Sequence, residues 1–208
     1  MKLIFASNNA HKLDEARAIL PNVQILSLAE IGCHEDIPET HPTLEGNSLQ
    51  KAEFVLRWCA EHANALPAGV TGCFADDTGL EIEALGGEPG VYTARWAGEN
   101  CDPAQNRKKA LRLLEGQTNR RARFRTIVTL LQFNSSCHTF EGIVTGRIST
   151  EERGTGGFGY DAVFIPDLPE EHSTLSNEKT FAELPIELKN SISHRARAMQ
   201  KLADFLKK

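Results

Sequence analysis

Within its first 26 residues the chain passes from an apolar strand run to a helical period and back, and this alternation constrains its architecture more than any other feature. Leu3 to Ala6 is a short apolar run that reads as a buried strand. Ser7-Asn8-Asn9-Ala10 is a polar turn, with Asn9 placed to cap the helix that follows. That helix carries Leu13, Ala16, Ile19 and Leu20 on one face and stops at Pro21, and Val23 to Leu26 is a second strand. A proline-marked polar loop, Glu35 to Pro42, leads into a longer helix from about Leu44 to Ala65, with Leu49, Ala52, Val55, Leu56 and Cys59 along one stripe. Cys73-Phe74-Ala75 reads as a strand ending at Asp76-Asp77, and Leu80 to Leu85 as extended chain before the turn-rich Gly86 to Gly90. Ala104 to Leu114 is an amphipathic helix.

Two β-rich runs follow, Ala122 to Phe133 and Thr139 to Ser149, joined by Asn134-Ser135-Ser136 as a long antiparallel hairpin. A glycine-rich loop leads into the strand Ala162 to Ile165, and a helix from about Ser193 to Leu206 closes the chain. A strand–helix–strand start and a later hairpin define an α/β fold with a mixed sheet. There is no repeat, and composition marks no boundary, so residues 1–208 read as a single domain.

With 208 residues the chain is long enough to bury a core and enclose a cleft. Its net charge of −5 argues against duplex DNA as a partner, which usually needs a basic face. Any polyanionic small molecule would have to bind a protein this acidic in a local pocket, helped by a cation. The five cysteines are odd in number, widely spaced and without a C-x-x-C pair, which suits reduced thiols in the cytoplasm better than disulfides or zinc. The apolar run at the start is too short for a secretory leader, and no stretch approaches a membrane span. A cytoplasmic protein that engages neither membrane nor nucleic acid is expected.

Several local patterns carry two readings. Ser7-Asn8-Asn9-Ala10-His11-Lys12, between a strand and a helix start, is either a phosphate cradle of exposed amides and a lysine, or a plain helix cap with a solvated lysine. Asp76-Asp77 at a strand end either hold Mg²⁺ through oxygen ligands or form a turn, and Glu39 is either a further oxygen donor or a surface residue. Gly154-x-Gly156-x-x-Gly159 matches the dinucleotide fingerprint, but a strand rather than a helix follows it, so the Rossmann reading is rejected. Arg120 to Arg125 suggests a nucleic-acid patch. Its period of two, with Arg121, Arg123 and Arg125 opposite Ala122 and Phe124, fits a solvated strand face better. Ser193-His194-Arg195 opens the last helix, where cations oppose the macrodipole. A compensating anion is therefore expected there, and the phosphates of a bound ligand or the oxo group of a bound base are the natural candidates.

The order of these motifs along the chain is more specific than any of them alone. Ser7-Asn8-Asn9-Ala10-His11-Lys12-x-x-Glu15, the run Phe74 to Leu80 with Leu85 to Arg95, the loop Gly154 to Asp161, and Ser193-His194-Arg195-x-x-Ala198 together resemble the noncanonical purine NTP pyrophosphatases, the inosine triphosphatase or Ham1-like family. The resemblance extends from residue 3 to about residue 203, with Ser7 and Thr78 standing where many members have Thr and Ser. It implies an elongated, two-lobed α/β fold with a long central mixed sheet flanked by helices, an active-site cleft between the lobes, and a homodimer. It implies hydrolysis of ITP, dITP and XTP to the monophosphate and pyrophosphate, with Mg²⁺ as cofactor. Ser7, Asn8, Asn9, Ala10, His11 and Lys12 would hold the triphosphate, with Lys51 and Thr78 as further substrate contacts. Glu39 and Asp77 would hold Mg²⁺, Asp77 would also act as base, and Asp76 would support them. Phe158, Gly159, Tyr160 and Asp161 would border the base, and Lys189, His194 and Arg195 would contact base and phosphates. The alternative function is a nucleotide-binding sensor without catalysis; the acidic trio Glu39, Asp76 and Asp77 argues against it, since binding alone tolerates their neutralisation.

Overall fold

The computed structural model describes residues 1–168 and 178–207. Their central element is a seven-stranded mixed sheet. Its strands are β1 Lys2–Phe5, β2 Gln24–Leu26, β3 Val70–Ile82, β4 Pro89–Gly90, β5 Arg121–Gln132, β6 Cys137–Ile148 and β7 Phe164–Pro166. The order across the sheet is β2-β1-β3-β5-β6-β7, with β4 paired to β3. Helix α1, Ala10–Ile19, makes the crossover from β1 to the parallel β2. Helices α2 Leu44–Glu61, α3 Pro103–Leu113, α4 Ile186–Ile192 and α5 His194–Leu206 complete the flanking layer. Among the described residues no helix is long and apolar enough to cross a membrane.

The chain forms two compact units. The first comprises 1–77, 126–142 and 195–208, the second 78–125 and 143–194. In the first unit the period of two along the strands sorts two cores. Leu3, Phe5 and Phe74 face α1 and α5, meeting Ala16, Leu20, Ala198, Met199 and Leu202. Ile4, Ala6, Cys73 and Ala75 face α2, meeting Ala52, Val55 and Cys59. Gly72 is required where β3 passes β5, since a Cβ there would stand 2.3 Å from the Leu131 carbonyl oxygen. The second unit packs Leu80, Ile82, Phe124, Val144, Tyr160, Phe164, Phe181 and Leu184 against Ala110 of α3 and its C-cap residue Leu114.

The structure departs from the sequence reading at four places. Leu80 to Ile82 are extended, but Glu83–Leu85 form a 3-10 turn. β3 runs for 13 residues straight through Asp76-Asp77 instead of ending there. The long helix closes at Glu61, where the His62 amide bonds the Trp58 carbonyl and a 3-10 turn over Ala63–Ala65 takes over. The short helix α4, which carries Lys189 just before the last helix, went unread because its seven residues are too few to show an apolar period.

Candidate active site

Because side chains alternate along β3, its two adjacent aspartates leave the strand on opposite faces. Asp76 continues the face of Phe74, toward α1 and α5. Its Oδ1 accepts from Lys12 Nζ at 2.9 Å and its Oδ2 from Arg195 Nε at 3.2 Å. Arg195 also donates through Nη1 to Glu15 Oε2. Asp77 continues the face of Cys73 and Ala75, toward α2. Its Oδ1 accepts from Lys51 Nζ at 3.1 Å and its Oδ2 from Asn47 Nδ2 at 3.2 Å. Lys51 Nζ also donates to Glu39 Oε1. The result is two ion-pair chains, Glu15–Arg195–Asp76–Lys12 and Glu39–Lys51–Asp77.

Local sequence positions these groups. Asn9 caps α1 by accepting the Lys12 amide at 3.2 Å, and the Ser7 hydroxyl accepts the Asn9 amide at 3.2 Å. The turn is thus a helix cap, but one whose Lys12 is paired with Asp76 rather than solvated. Asn8, Asn9, Ala10 and His11 are exposed and Ser7 is half-buried. Thr43 caps α2 through the Gly46 amide. The buried stripe of α2 includes Leu44, Asn47, Ser48, Lys51, Ala52 and Val55. Polar residues on an apolar stripe mark a site, and by that signal Asn47 was legible though unassigned. Its Oδ1 accepts the His41 amide at 2.8 Å, so its NH₂ end must face Asp77. Glu15, the last residue of the motif that begins at Ser7, is a second such partner, visible in the sequence but with no role legible there.

Burial alone would push Asp76 upward, but Lys12 and Arg195 outweigh it and hold the carboxyl well below the usual range. Asp77 moves the other way: burial raises it, Lys51 pulls it down and Glu39 adds to the rise, leaving it above the ordinary value. Burial lowers Lys12 more than Asp76 restores it. Burial is also the largest influence on Lys51, yet Asp77 and Glu39 together hold that ammonium above its ordinary value. Asp76 is thus favoured as an ionised counter-charge, and Asp77 is the more basic carboxylate of the two.

The anion expected opposite Arg195 proves to be the protein's own. Asp76 and Glu15 supply it, so the triphosphate is not needed to explain a buried arginine in the first turn of α5. His194, the first residue of that helix, is buried in the second unit with its ring stacked on Phe124 at 4.6 Å.

A second constellation lies in the glycine-rich loop of that unit. Asp161 Oδ2 accepts the Phe158 amide at 2.7 Å and Lys189 Nζ at 2.8 Å, and the Lys189 ammonium lies 4.9 Å from the Phe158 ring centroid. Gly157, at φ +71°, leaves room for this clasp, because a Cβ there would stand 2.0 Å from Asp161 Oδ2. Tyr160 is a core residue whose hydroxyl donates to the Thr93 carbonyl at 3.1 Å, so it anchors the loop and does not offer a stacking face. Arg107 fastens the same loop through the Gly159 carbonyl at 2.9 Å. Thr78 is half-buried on β3. The loop is followed by β7, in keeping with the rejection of a dinucleotide fold. On β5, Arg121 makes a forked pair with Asp167 at 3.1 and 3.0 Å, and Arg123 pairs with Glu81 at 2.6 Å, while Ala122 and Phe124 face inward.

Known proteins share this arrangement of sequence and fold. The sequence model of the Ham1 family matches residues 3–205. A dITP/XTP pyrophosphatase of Porphyromonas gingivalis is 52% identical over 207 residues, covering 99% of this chain and 97% of that protein. One of Flavobacterium johnsoniae is 46% identical, covering 99% and 98%. The solved Ham1 protein of Staphylococcus aureus superposes with a TM-score of 0.80 at 35% identity, covering 100% of this chain and 98% of that one.

Proposed function

This chain belongs to the Ham1 family, and from that premise we propose that it hydrolyses noncanonical purine nucleoside triphosphates, ITP, dITP and XTP, to the monophosphate and pyrophosphate. The observation that carries the reading is the buried Asp76-Asp77 pair in mid-strand, with lysines answering it on both faces of the sheet. A structural strand gains nothing from two buried ionised groups whose desolvation is costly.

Glu39 and Asp77 fit a divalent cation, Mg²⁺ above all. Their oxygens converge on one point, where a cation, the Lys51 ammonium, is already accommodated, and carboxylate oxygens are the donors Mg²⁺ prefers. When bound, such an ion neutralises phosphate charge and lowers the pKa of water. The remaining work falls to the chain. Asp77, raised by burial, accepts the proton of the water that attacks the α-phosphorus. Asn47 holds the Asp77 carboxylate in one plane. Lys12 and Arg195, fixed on Asp76, present positive charge where the pyrophosphate leaves. Phe158 offers a ring face to the base, with Lys189 and His194 as donors to its oxo group. Action as a homodimer in the cytoplasm is part of the same proposal.

The test is phosphate release from ITP with and without added inorganic pyrophosphatase. Signal that depends on the added enzyme is expected; equal rates without it refute pyrophosphate as product. In the same assay Asp77→Asn should lose about a hundredfold or more of turnover while keeping its circular dichroism spectrum.

A further inference from the structure

The Asp77 carboxylate is divided between two donors of different character. Asn47 is wholly buried and held at its other end by the His41 amide, so its bond to Oδ2 is a fixed fastening. Lys51 holds Oδ1 from the end of a flexible four-carbon stem, and the same ammonium reaches Glu39, whose side chain is 37% exposed. The two carboxylates given to the metal are thus joined through one protein cation. A divalent ion on those oxygens and an ammonium on the same oxygens would be like charges in contact, and they repel strongly in a partly desolvated site.

We infer that Lys51 is a resident counter-cation, which a divalent metal must displace from Glu39 and Asp77, so that metal arrival releases the Lys51 ammonium toward the substrate phosphates. This rests on the reading of Glu39 and Asp77 as the metal ligands. Without metal, Lys51 offsets the repulsion between the two carboxylates and keeps them converged. With metal, the lysine becomes an extra positive charge available only in the loaded state. Asn47 keeps Asp77 in place through the exchange.

The experiment measures Mn²⁺ affinity by titration calorimetry, without nucleotide, for the wild type, Lys51→Met and Lys12→Met. Displacement predicts that Lys51→Met binds Mn²⁺ at least about tenfold more tightly, the change a single close charge pair carries. Lys12→Met removes the same charge from Asp76 without touching Glu39 or Asp77, so its gain should be clearly smaller. Equal gains in both variants, or none in Lys51→Met, overturn the inference and leave the metal site standing. No Mn²⁺ binding by any of the three overturns the metal reading as well. A second measurement uses the wild type alone. Lysine acylation read by mass spectrometry should label Lys51 several-fold faster once Mn²⁺ is added, with Lys189, equally buried, unchanged. Labelling of Lys51 that is constant or slower with Mn²⁺ counts against the exchange.

Discussion

Arg195 shows how a single residue can be read correctly in chemistry and wrongly in circumstance. A cation in the first turn of a helix opposes the macrodipole, and the demand for an anion follows from sequence alone. Which anion does not follow, because Asp76 lies 119 residues away and Glu15 180. With both partners in place, Arg195→Ala is expected to destabilise the ligand-free protein. Removing one member of a buried charge network costs about 3–5 kcal/mol. For a chain of this size that lowers the melting temperature by roughly 6–20 °C, at about 2–4 °C per kcal/mol. Thermal unfolding followed by circular dichroism decides it, and an unchanged midpoint would return Arg195 to a purely ligand-binding role. Asn47 makes the complementary point. Its type and place on the α2 stripe were visible, but its partner, Asp77, lies on a strand 30 residues away.

At the scale of the element, helix and strand periods were legible wherever one face is apolar, as in α2 and β5, because burial there enforces the pattern. β3 was cut short in the sequence reading because paired aspartates usually break strands. Here Lys12, Arg195, Lys51 and Asn47 satisfy both carboxylates, so the strand continues to Ile82. The alternation on β5 leads to a plain expectation. Arg123→Ser gives up an exposed pair with Glu81, worth about 0.2–1 kcal/mol, and should leave ITP turnover within about twofold of wild type. A large loss of turnover in a variant of normal stability would mean that this face meets substrate. α2 carries a pH dependence of its own. Burial pushes the Cys59 thiol up to about 11. A raised value favours the protonated form in the fold, so stability is intact below the ordinary thiol range near 9 and declines as pH rises from there toward 11. Melting temperatures measured from pH 8 to 11 should therefore fall less steeply in Cys59→Ala than in wild type; parallel curves would show that the thiol does not ionise on unfolding.

The whole molecule is two units written by one chain that crosses between them four times, after Asp77, Arg125, Gly142 and His194. Three of these crossings fall inside strands β3, β5 and β6, so the same hydrogen-bonded strand belongs to both units and neither can lose it alone. The first unit also cannot close its core until the end of the chain returns, because Ala198, Met199 and Leu202 of α5 cover Leu3, Phe5 and Phe74. This continuity predicts a single cooperative unfolding transition. The two tryptophans test it, one in each unit: Trp58 in the first and Trp96 in the second. Leu202→Ala removes a fully buried side chain from the first unit only and should cost about 2–5 kcal/mol. Placed in Trp96→Phe, where fluorescence reports the first unit, and in Trp58→Phe, where it reports the second, the substitution should lower the urea midpoint equally. If only the Trp58 signal moves and the Trp96 midpoint stays where it was, the shared strands do not transmit stability, and the units unfold as separate domains.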